Sequence, residues 1–455
     1  MIKMNNVLTI ILAAGQGTRM KSDRVKVLHH VAGRPMLHYV VDNAGSFSSS
    51  IVLIIGRQGE MVRESLAGKP NLKFIVQEEQ LGTGHAVIQA REEILKHSGP
   101  VLVLYGDTPL LREETLRNLI KIHEEKQAAS TVLTTRLEDP TGYGRIIRDK
   151  AGNLVRIVEE RDAGAEEKAI REINSGVCCF DSSLLLEALA NLDNKNAQGE
   201  YYLTDTIAYL NDQGKKVLPY LIEDYQEIIG INDRKNLARA ERIIRDRINE
   251  KHLENGVTMI DPATIYIDSE VEIGQDTLIY PFTYIEGKTS IGKNSIIGSH
   301  CRIKDSKIGK AVNIMDHSII LDSQIGAYSQ IGPFAHIRPG CLLETETKIG
   351  GFVEIKNTTV GQGTKIPHLS YVGDASIGQE TNVGAGTIFA NYDGEKKHQT
   401  IVGDKVFIGS NTTLVSPVKI GDEGKTGAGS VVTRDVPEKT TVVGVPARKF
   451  VRKER

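Results

Sequence analysis

From Ile273 to Ile420 an aliphatic residue, very often followed by Gly, returns at every sixth position: Ile273-Gly274, Ile279, Ile285, Ile291-Gly292, Ile297-Gly298 and Ile303, then Ile325-Gly326, Ile331-Gly332, Ile337, Leu343, Ile349-Gly350 and Ile355. A period of six matches neither a helical turn nor a heptad. It matches a parallel β-helix, in which each flat side turns a corner after six residues and buries one aliphatic side chain. One coil of about 18 residues cannot cover its own apolar face, so coils must stack at about 4.8 Å, strand on strand, into a triangular prism. The spacing shortens to five between Ile303 and Ile308, Ile355 and Val360, and Val372 and Ile377. A longer break, "GTIFANYDGEKKHQT", falls between Val383 and Val402. Interruptions of a solenoid map to loops on one face, which serve either as binding elements or as tolerated surface insertions.

At 455 residues the chain exceeds the ~250–300 at which single cores stop growing, so at least two domains are expected. A net charge of -2, without a long Lys/Arg run, argues against a nucleic-acid groove and favours small-molecule ligands. The apolar run in "VLTIILAAGQG" is shorter than a membrane span and lacks a signal-cleavage pattern, so it reads as a buried first strand and no membrane partner is expected. Cys178, Cys179, Cys301 and Cys341 have neither metal-ligand spacing nor disulfide density, which fits a reducing, cytoplasmic setting.

Residues 7–230 alternate short apolar runs with helical patterns, the mark of an α/β domain with a mostly parallel sheet. Ligands of such sheets bind at the carboxyl ends of strands, where "LAAGQGTRM" and "LYGDTPL" fall. Gly15 and Gly17 bring backbone N–H groups close to phosphate oxygens, with Arg19 and Lys26 supplying charge. The third glycine of a dinucleotide fingerprint and the GK[ST] of a Walker loop are both absent. Next, "DRKNLARAERIIRDRINEKHLENG" carries Leu237, Ile243, Ile244 and Ile248 at helical spacing, predicting a connecting helix that ends near Asn255-Gly256.

Between His336 and Ala375, Arg338 and Lys356 are cations suited to clamp a phosphate. His368 can take a proton near neutral pH, although a lone histidine is as readily structural. Glu354 is the residue that spacing offers to orient it. In "GDEGKTGAGS" the pair Lys425-Thr426 stands where a buried aliphatic is expected, predicting a looser last coil.

The stretch "LAAGQGTRMKSDRVKVLH" resembles the signature of sugar-nucleotide pyrophosphorylases, with Val25 where proline is usual. The resemblance continues in order through "QLGTGHA", "YGDTPL", "GYGRI", "VEE", "INSG" and "IGIND". Together with the hexads it is similar to the family of bifunctional N-acetylglucosamine-1-phosphate uridyltransferases and glucosamine-1-phosphate acetyltransferases, over essentially the whole chain. That resemblance implies an α/β, Rossmann-like nucleotidyltransferase domain over 1–230, a helical linker over 231–252, and a left-handed parallel β-helix of hexapeptide repeats over 253–455 with a short C-terminal tail.

It further implies that Leu12, Ala13, Gly15, Gly17, Lys26, Gln77, Gly82 and Thr83 hold the uridine nucleotide, with Arg19 and Lys26 acting in catalysis. Gly144, Glu159, Asn174 and Asn232 would meet the sugar phosphate, and Asp107 and Asn232 would bind Mg²⁺. In the second half, His368 would be the general base, and Arg338, Lys356, Tyr371 and Asn382 would contact the sugar phosphate. Ala385, Ser410, Ala428 and Arg448 would line the acetyl-CoA groove, and Asn391 and Tyr392 would close over the substrates, with Asn391 suited to stabilise an oxyanion. UTP and acetyl-CoA are the implied co-substrates, and a homotrimer built through the β-helix is the implied assembly. Two rival readings are a pyrophosphorylase for glucose 1-phosphate with a regulatory β-helix, and a second half that is only a trimerising scaffold. A base between cations separates the first reading from both.

Overall fold

The computed structural model describes residues 6–450 and divides into two compact units, Met1–Ile243 and Ile244–Arg455, a division that falls within the helix Arg234–Glu254.

The first unit is built on a nine-stranded sheet. Its strands are β1 (Leu8–Ala13), β2 (Ser50–Ile55), β3 (Leu72–Val76), β4 (Pro100–Tyr105), β5 (Ser130–Arg136), β6 (Arg145–Arg148), β7 (Leu154–Val158), β8 (Glu172–Asp181) and β9 (Val217–Ile222). The main path runs β9-β5-β8-β4-β1-β2-β3, with β6 and β7 joined to it through β8. Strands β1 to β4 pair in parallel, whereas β8 runs antiparallel to both β4 and β5. Helices on the sheet bury an apolar run such as Val101 to Leu104 completely, which is why the parallel strands read as continuous hydrophobic stretches. The register aligns Leu12 with Tyr105, Ala13 with Ile55 and Ile55 with Val76, so β1, β2, β3 and β4 end at one level.

The second unit is a left-handed parallel β-helix whose stacked strands form sheets of 12 and 17 strands. The inward positions Ile279, Ile297, Ile314, Ile331, Ile349, Ile366, Val383 and Ile408 are all buried in one continuous core, coil above coil. The Ile-Gly pairs have a steric cause. A Cβ on Gly292 would lie 2.5 Å from the backbone nitrogen of Lys310, and one on Gly309 would lie 2.6 Å from that of Ala327. Gly332 (φ 95) apart, left-handed backbone mostly sits three residues after the inward residue, on Gly363, Gly386 and Gly429 but also on ordinary side chains: Asn294 (φ 60), Ala311 (φ 54), Tyr328 (φ 62) and Glu346 (φ 62). Glycine directly after the aliphatic thus marks close approach of coils, while the corners take both glycine and residues that seldom adopt positive φ.

The shortened hexads turn two residues after the inward position, at Asp305, Asn357 and Asp374, and a further one turns at Asp322 between Ile320 and Ile325. Backbone bonds from Asp322 to Lys304, Gly340 to Asp322 and Asn357 to Pro339 stack these turns along one corner. The long break is narrower than its sequence indicates, because Phe389 fills the next inward position and is fully buried. An aromatic in an aliphatic slot hid that hexad. Thr426 likewise takes the inward place in the last region, buried, with its hydroxyl donated to or shared with Thr412 Oγ1 at 3.0 Å and accepting from Gly409 N at 2.9 Å. A satisfied hydroxyl replaces the looseness expected of that coil. The linker helix meets the first coil through Ile248, and Asn249 Nδ2 donates to the carbonyls of Pro262 and Ile265.

Candidate active sites

A cleft of about 600 Å³ opens at the carboxyl ends of β1, β3 and β4, lined by Leu12, Ala13, Gly15, Arg19, Lys26 and other residues of the first unit. Gly17 has φ 64, and a Cβ there would meet Lys26 Cβ at 2.6 Å, so glycine both permits the turn and leaves room for the lysine. Lys26 Nζ reaches Asp107 Oδ2 at 2.5 Å and Asn232 Oδ1 at 3.2 Å. These two acceptors are far apart in sequence and are joined by the backbone bond from Ile231 N to Asp107 O, 2.8 Å. Arg234 Nε donates to Met20 O at 3.1 Å, tying the start of the linker helix to the Gly-rich loop. Val25 holds φ -52 and ψ 130, a conformation proline shares, so its departure from the usual motif leaves the backbone path intact.

On the opposite wall, Gln77 Nε2 contacts His85 Nδ1 at 3.0 Å, and Gly82 has φ 105 with its Cβ direction closed by Tyr201 O at 2.6 Å. Thr83 Oγ1 accepts from Leu203 N at 3.1 Å. Asn174 N donates to Gly144 O at 2.8 Å, and a Cβ on Gly144 would lie 3.4 Å from Glu159 Oε2, so Gly144, Glu159 and Asn174 form one group. Burial raises the Glu159 pKa, against the hydrogen bond it accepts from Thr204 Oγ1. Gln80, Tyr105, Thr108 and Tyr143 also line the cleft and were assigned no role from sequence. Gln80 is tied to Ala14 O, and its place in the quoted "QLGTGHA" was the available signal. Burial and the nearby Glu159 raise the Tyr105 phenol pKa.

Asp107 Oδ2 and Asn232 Oδ1 converge on one positive centre. Among the described residues no group of three or more His, Cys, Asp or Glu side chains is placed to hold a metal. Two protein oxygens facing this cleft suit a hard cation that takes most of its ligands from phosphate and water, and do not suit an all-protein cage.

In the prism, register decides which residues meet. His368, Ala385, Ser410 and Ala428 lie one above another on successive coils, shown by the bonds Gly386 N to His368 O (3.3 Å), Asn411 N to Ala385 O (2.7 Å) and Gly429 N to Ser410 O (2.8 Å). Asn382 lies on the same side, paired with Lys365 and Phe407. Arg338 stacks under Lys356 and Lys356 under Gly373, at the other edge of the neighbouring face, which begins at Tyr371. Glu354 Oε1 accepts from Arg338 Nη1 at 2.8 Å, and its strand pairs with that of Tyr371. It therefore orients the arginine, and spacing misassigned it to the exposed His368. The Tyr371 hydroxyl and Asn391 Nδ2 crowd Gly373, where a Cβ would lie 2.5 and 2.7 Å from them. Lys397, which sequence reasoning passed over inside the break, lowers the Lys356 pKa by proximity. Tyr392 is exposed and bonded to Gly394 O, and exposed Arg448 sits in the last, antiparallel strand with Nη1 on Ala447 O.

Residues 8–241 match the nucleotidyl transferase family, residues 262–349 the GMPPB C-terminal domain, and residues 399–434 the bacterial transferase hexapeptide of six repeats. The chain is 49% identical over 436 residues to the bifunctional protein GlmU of Listeria monocytogenes serotype 4a, covering 96% of this chain and 95% of that one. It is 49% identical over 435 residues to the proteins of the same name from Pelobacter propionicus, covering 95% of each chain, and from Heliobacterium modesticaldum, covering 95% of this chain and 94% of that one. A nucleotidyl-transferase cleft and a hexapeptide prism on one chain, with relatives aligned along nearly all of it, place this protein in the GlmU family of bifunctional transferases.

Proposed function

We propose that the prism acetylates glucosamine 1-phosphate with acetyl-CoA and that the α/β unit then transfers UMP from UTP to the N-acetylated sugar phosphate, releasing pyrophosphate. The product, UDP-N-acetylglucosamine, feeds cell-wall synthesis. The observation that carries the reading is the joint presence of the Lys26, Asp107 and Asn232 centre in one unit and the His368 column beside the Arg338 and Lys356 stack in the other.

In uridylyl transfer the sugar phosphate is already an anionic nucleophile. What the protein must add is in-line positioning and neutralisation of charge on the nucleotide. Leu12, Ala13, Gln77, Gly82 and Thr83 hold the base and ribose, Gly15 and Gly17 lay backbone against phosphate, and Arg19 and Lys26 carry charge to it. Gly144, Glu159, Asn174 and Asn232 face the sugar phosphate. Asp107 and Asn232 would hold Mg²⁺, which when bound offsets phosphate charge.

In acetyl transfer His368 takes the proton from the sugar ammonium, the freed sugar nitrogen attacks the acetyl carbon to form the amide bond, and the thioester C–S bond breaks to expel the CoA thiolate, which takes up the remaining proton of the acylated nitrogen. Arg338 and Lys356 bind the phosphate, with Tyr371, Asn382 and Asn391 on the sugar. Ala385, Ser410 and Ala428 leave backbone open to the pantetheine chain, Tyr392 covers it, and Arg448 reaches the CoA phosphates. His368 ends one face and the cations lie at the far edge of the next, so a neighbouring prism completes the site in a homotrimer. An exposed ladder of rings supports that assembly: Phe282, His300, His317, Phe334 and Phe352 stack at 4.8 to 5.0 Å along the corner that ends beside His368. No helix of the described residues is long and apolar enough to cross a membrane, and we place the enzyme in the cytoplasm, where its thiols stay reduced.

A coupled assay with glucosamine 1-phosphate, acetyl-CoA, UTP and Mg²⁺ tests the whole reading. UDP-N-acetylglucosamine should form from these four. Product that appears only from ready-made N-acetylglucosamine 1-phosphate would remove the acetyltransferase half.

A further inference from the structure

Asp374 occupies a prism corner with φ 51, in one of the shortened hexads. Its carboxylate accepts from two side-chain amides, Oδ1 from Asn357 Nδ2 at 2.7 Å and Oδ2 from Asn391 Nδ2 at 2.5 Å. An ionised carboxylate only accepts, so it decides which way round the Asn391 amide stands: nitrogen toward Asp374, oxygen away from it. Asn391 is 6% exposed, and its backbone is fixed by bonds from its N to Phe389 O and from His398 N to its O. Asn391, inside the long break, is therefore locked in both main chain and side chain. Its neighbour is the Tyr371 hydroxyl over Gly373, and the Asp374 that holds it acts electrostatically on Lys356.

The Asp374 charge favours protonated Lys356 against the lowering by Lys397, yet a carboxylate that close opposes a phosphate on the same lysine, and its two amide bonds point to a second part. We propose that Asp374 is a positioning residue for acetyl transfer, holding the Asn391 nitrogen so that the amide oxygen accepts hydrogen bonds from the amine or hydroxyl groups of the amino sugar. The proposal rests on the reading of this unit as a glucosamine 1-phosphate acetyltransferase. One Asn391 amide N–H is committed to Asp374, which leaves the amide oxygen and the second N–H for substrate.

The test is a double-mutant cycle on the full chain, reading kcat and KM for glucosamine 1-phosphate and, in the same preparations, uridylyl transfer. Asp374→Asn can donate as well as accept and releases the amide orientation. It should lower acetyl-transfer kcat/KM about tenfold, chiefly through KM, and should add less than about twofold when Asn391 is already Ala. Uridylyl transfer should hold. Asp374→Glu keeps acceptor-only chemistry and should retain more activity than Asp374→Asn. A lower KM in Asp374→Asn, full independence from Asn391→Ala, or equal loss in the Glu and Asn variants would each overturn the proposal. Wild-type protein that leaves glucosamine 1-phosphate unacetylated while transferring uridylyl groups would overturn the acetyltransferase reading, and the proposal with it.

Discussion

The cleft and the prism bring their chemistry together by different rules. Asp107 and Asn232 meet because Ile231 N bonds to Asp107 O across the domain, a contact that no spacing in the chain announces. His368, Ala385, Ser410 and Ala428 meet because each lies one coil from the next, and coil length is written in the repeat. In the α/β unit, loops at strand ends converge from unrelated stretches of sequence, so one altered loop can remove a ligand while leaving the sheet intact. In the prism every residue belongs to a column, and a change in one coil is felt by its neighbours.

The sharpest way to break this comparison is to disable one region and read the other. Asp107→Ala should reduce uridylyl transfer by at least about a thousandfold, as expected when a metal ligand is lost, with acetylation intact. His368→Ala should reduce acetyl transfer by about 10²–10⁴, the range for a positioned base, with uridylyl transfer intact. Loss of both activities from either variant, in folded protein by circular dichroism, would contradict two independent sites.

The column rule itself can be tested by calorimetry. Gly309→Ala places a Cβ 2.6 Å from the Ala327 nitrogen and should cost about 1–3 kcal/mol through overpacking between coils. Gly45→Ala, at the end of the helix Met36–Gly45 with nothing within 4 Å of its added Cβ, should be neutral or slightly stabilising. Equal effects at the two glycines would deny that register creates the requirement.

A smaller effect concerns charge in the α/β unit. Burial, followed by the nearby Glu159, pushes the Asp205 pKa up to about 6. A carboxyl whose folded pKa lies above its unfolded value of 3.8 costs nothing when both states are protonated. The cost grows as pH rises from there to about 6 and is constant above. Asp205→Asn should therefore stabilise the unit by about 1–2 kcal/mol at pH 7, discounted because the group is only half-buried, with the gain vanishing below about pH 4. Urea unfolding at the two pH values checks it. The smallest effect is Val25→Pro. The φ of -52 already suits proline, so this change should add about 0.4–1 kcal/mol by restricting the unfolded chain, and a loss of stability would show that the Val25 N–H matters.

Much of the prism was legible because its inward positions obey a fixed period. The exceptions were positions where the slot is filled by another chemistry, Phe389 as an aromatic and Thr426 as a hydrogen-bonded hydroxyl. Glu354 was misassigned because distance along the chain does not say which face of a triangle a residue takes. The strand pairing gives it to Arg338. In the α/β unit the Gly-rich loop and Asp107 could be placed at strand ends from pattern alone, and the grouping of Gly144, Glu159 and Asn174 entered by resemblance.

The sequence by itself determined that an α/β sheet precedes a β-helix, where the coils turn, and which residue types were available for phosphate, metal and proton. Those follow from local preference and periodicity, which act over a few neighbouring residues. Only the tertiary structure decided that Lys26 bridges Asp107 and Asn232, that the glycine after an inward aliphatic serves coil spacing while Asn294 and Tyr328 as well as Gly363 and Gly386 take left-handed corners, and that Asp374 fixes the amide of Asn391. These depend on which distant groups are brought within hydrogen-bond reach, and that is set by sheet order and coil stacking rather than by any window of the chain.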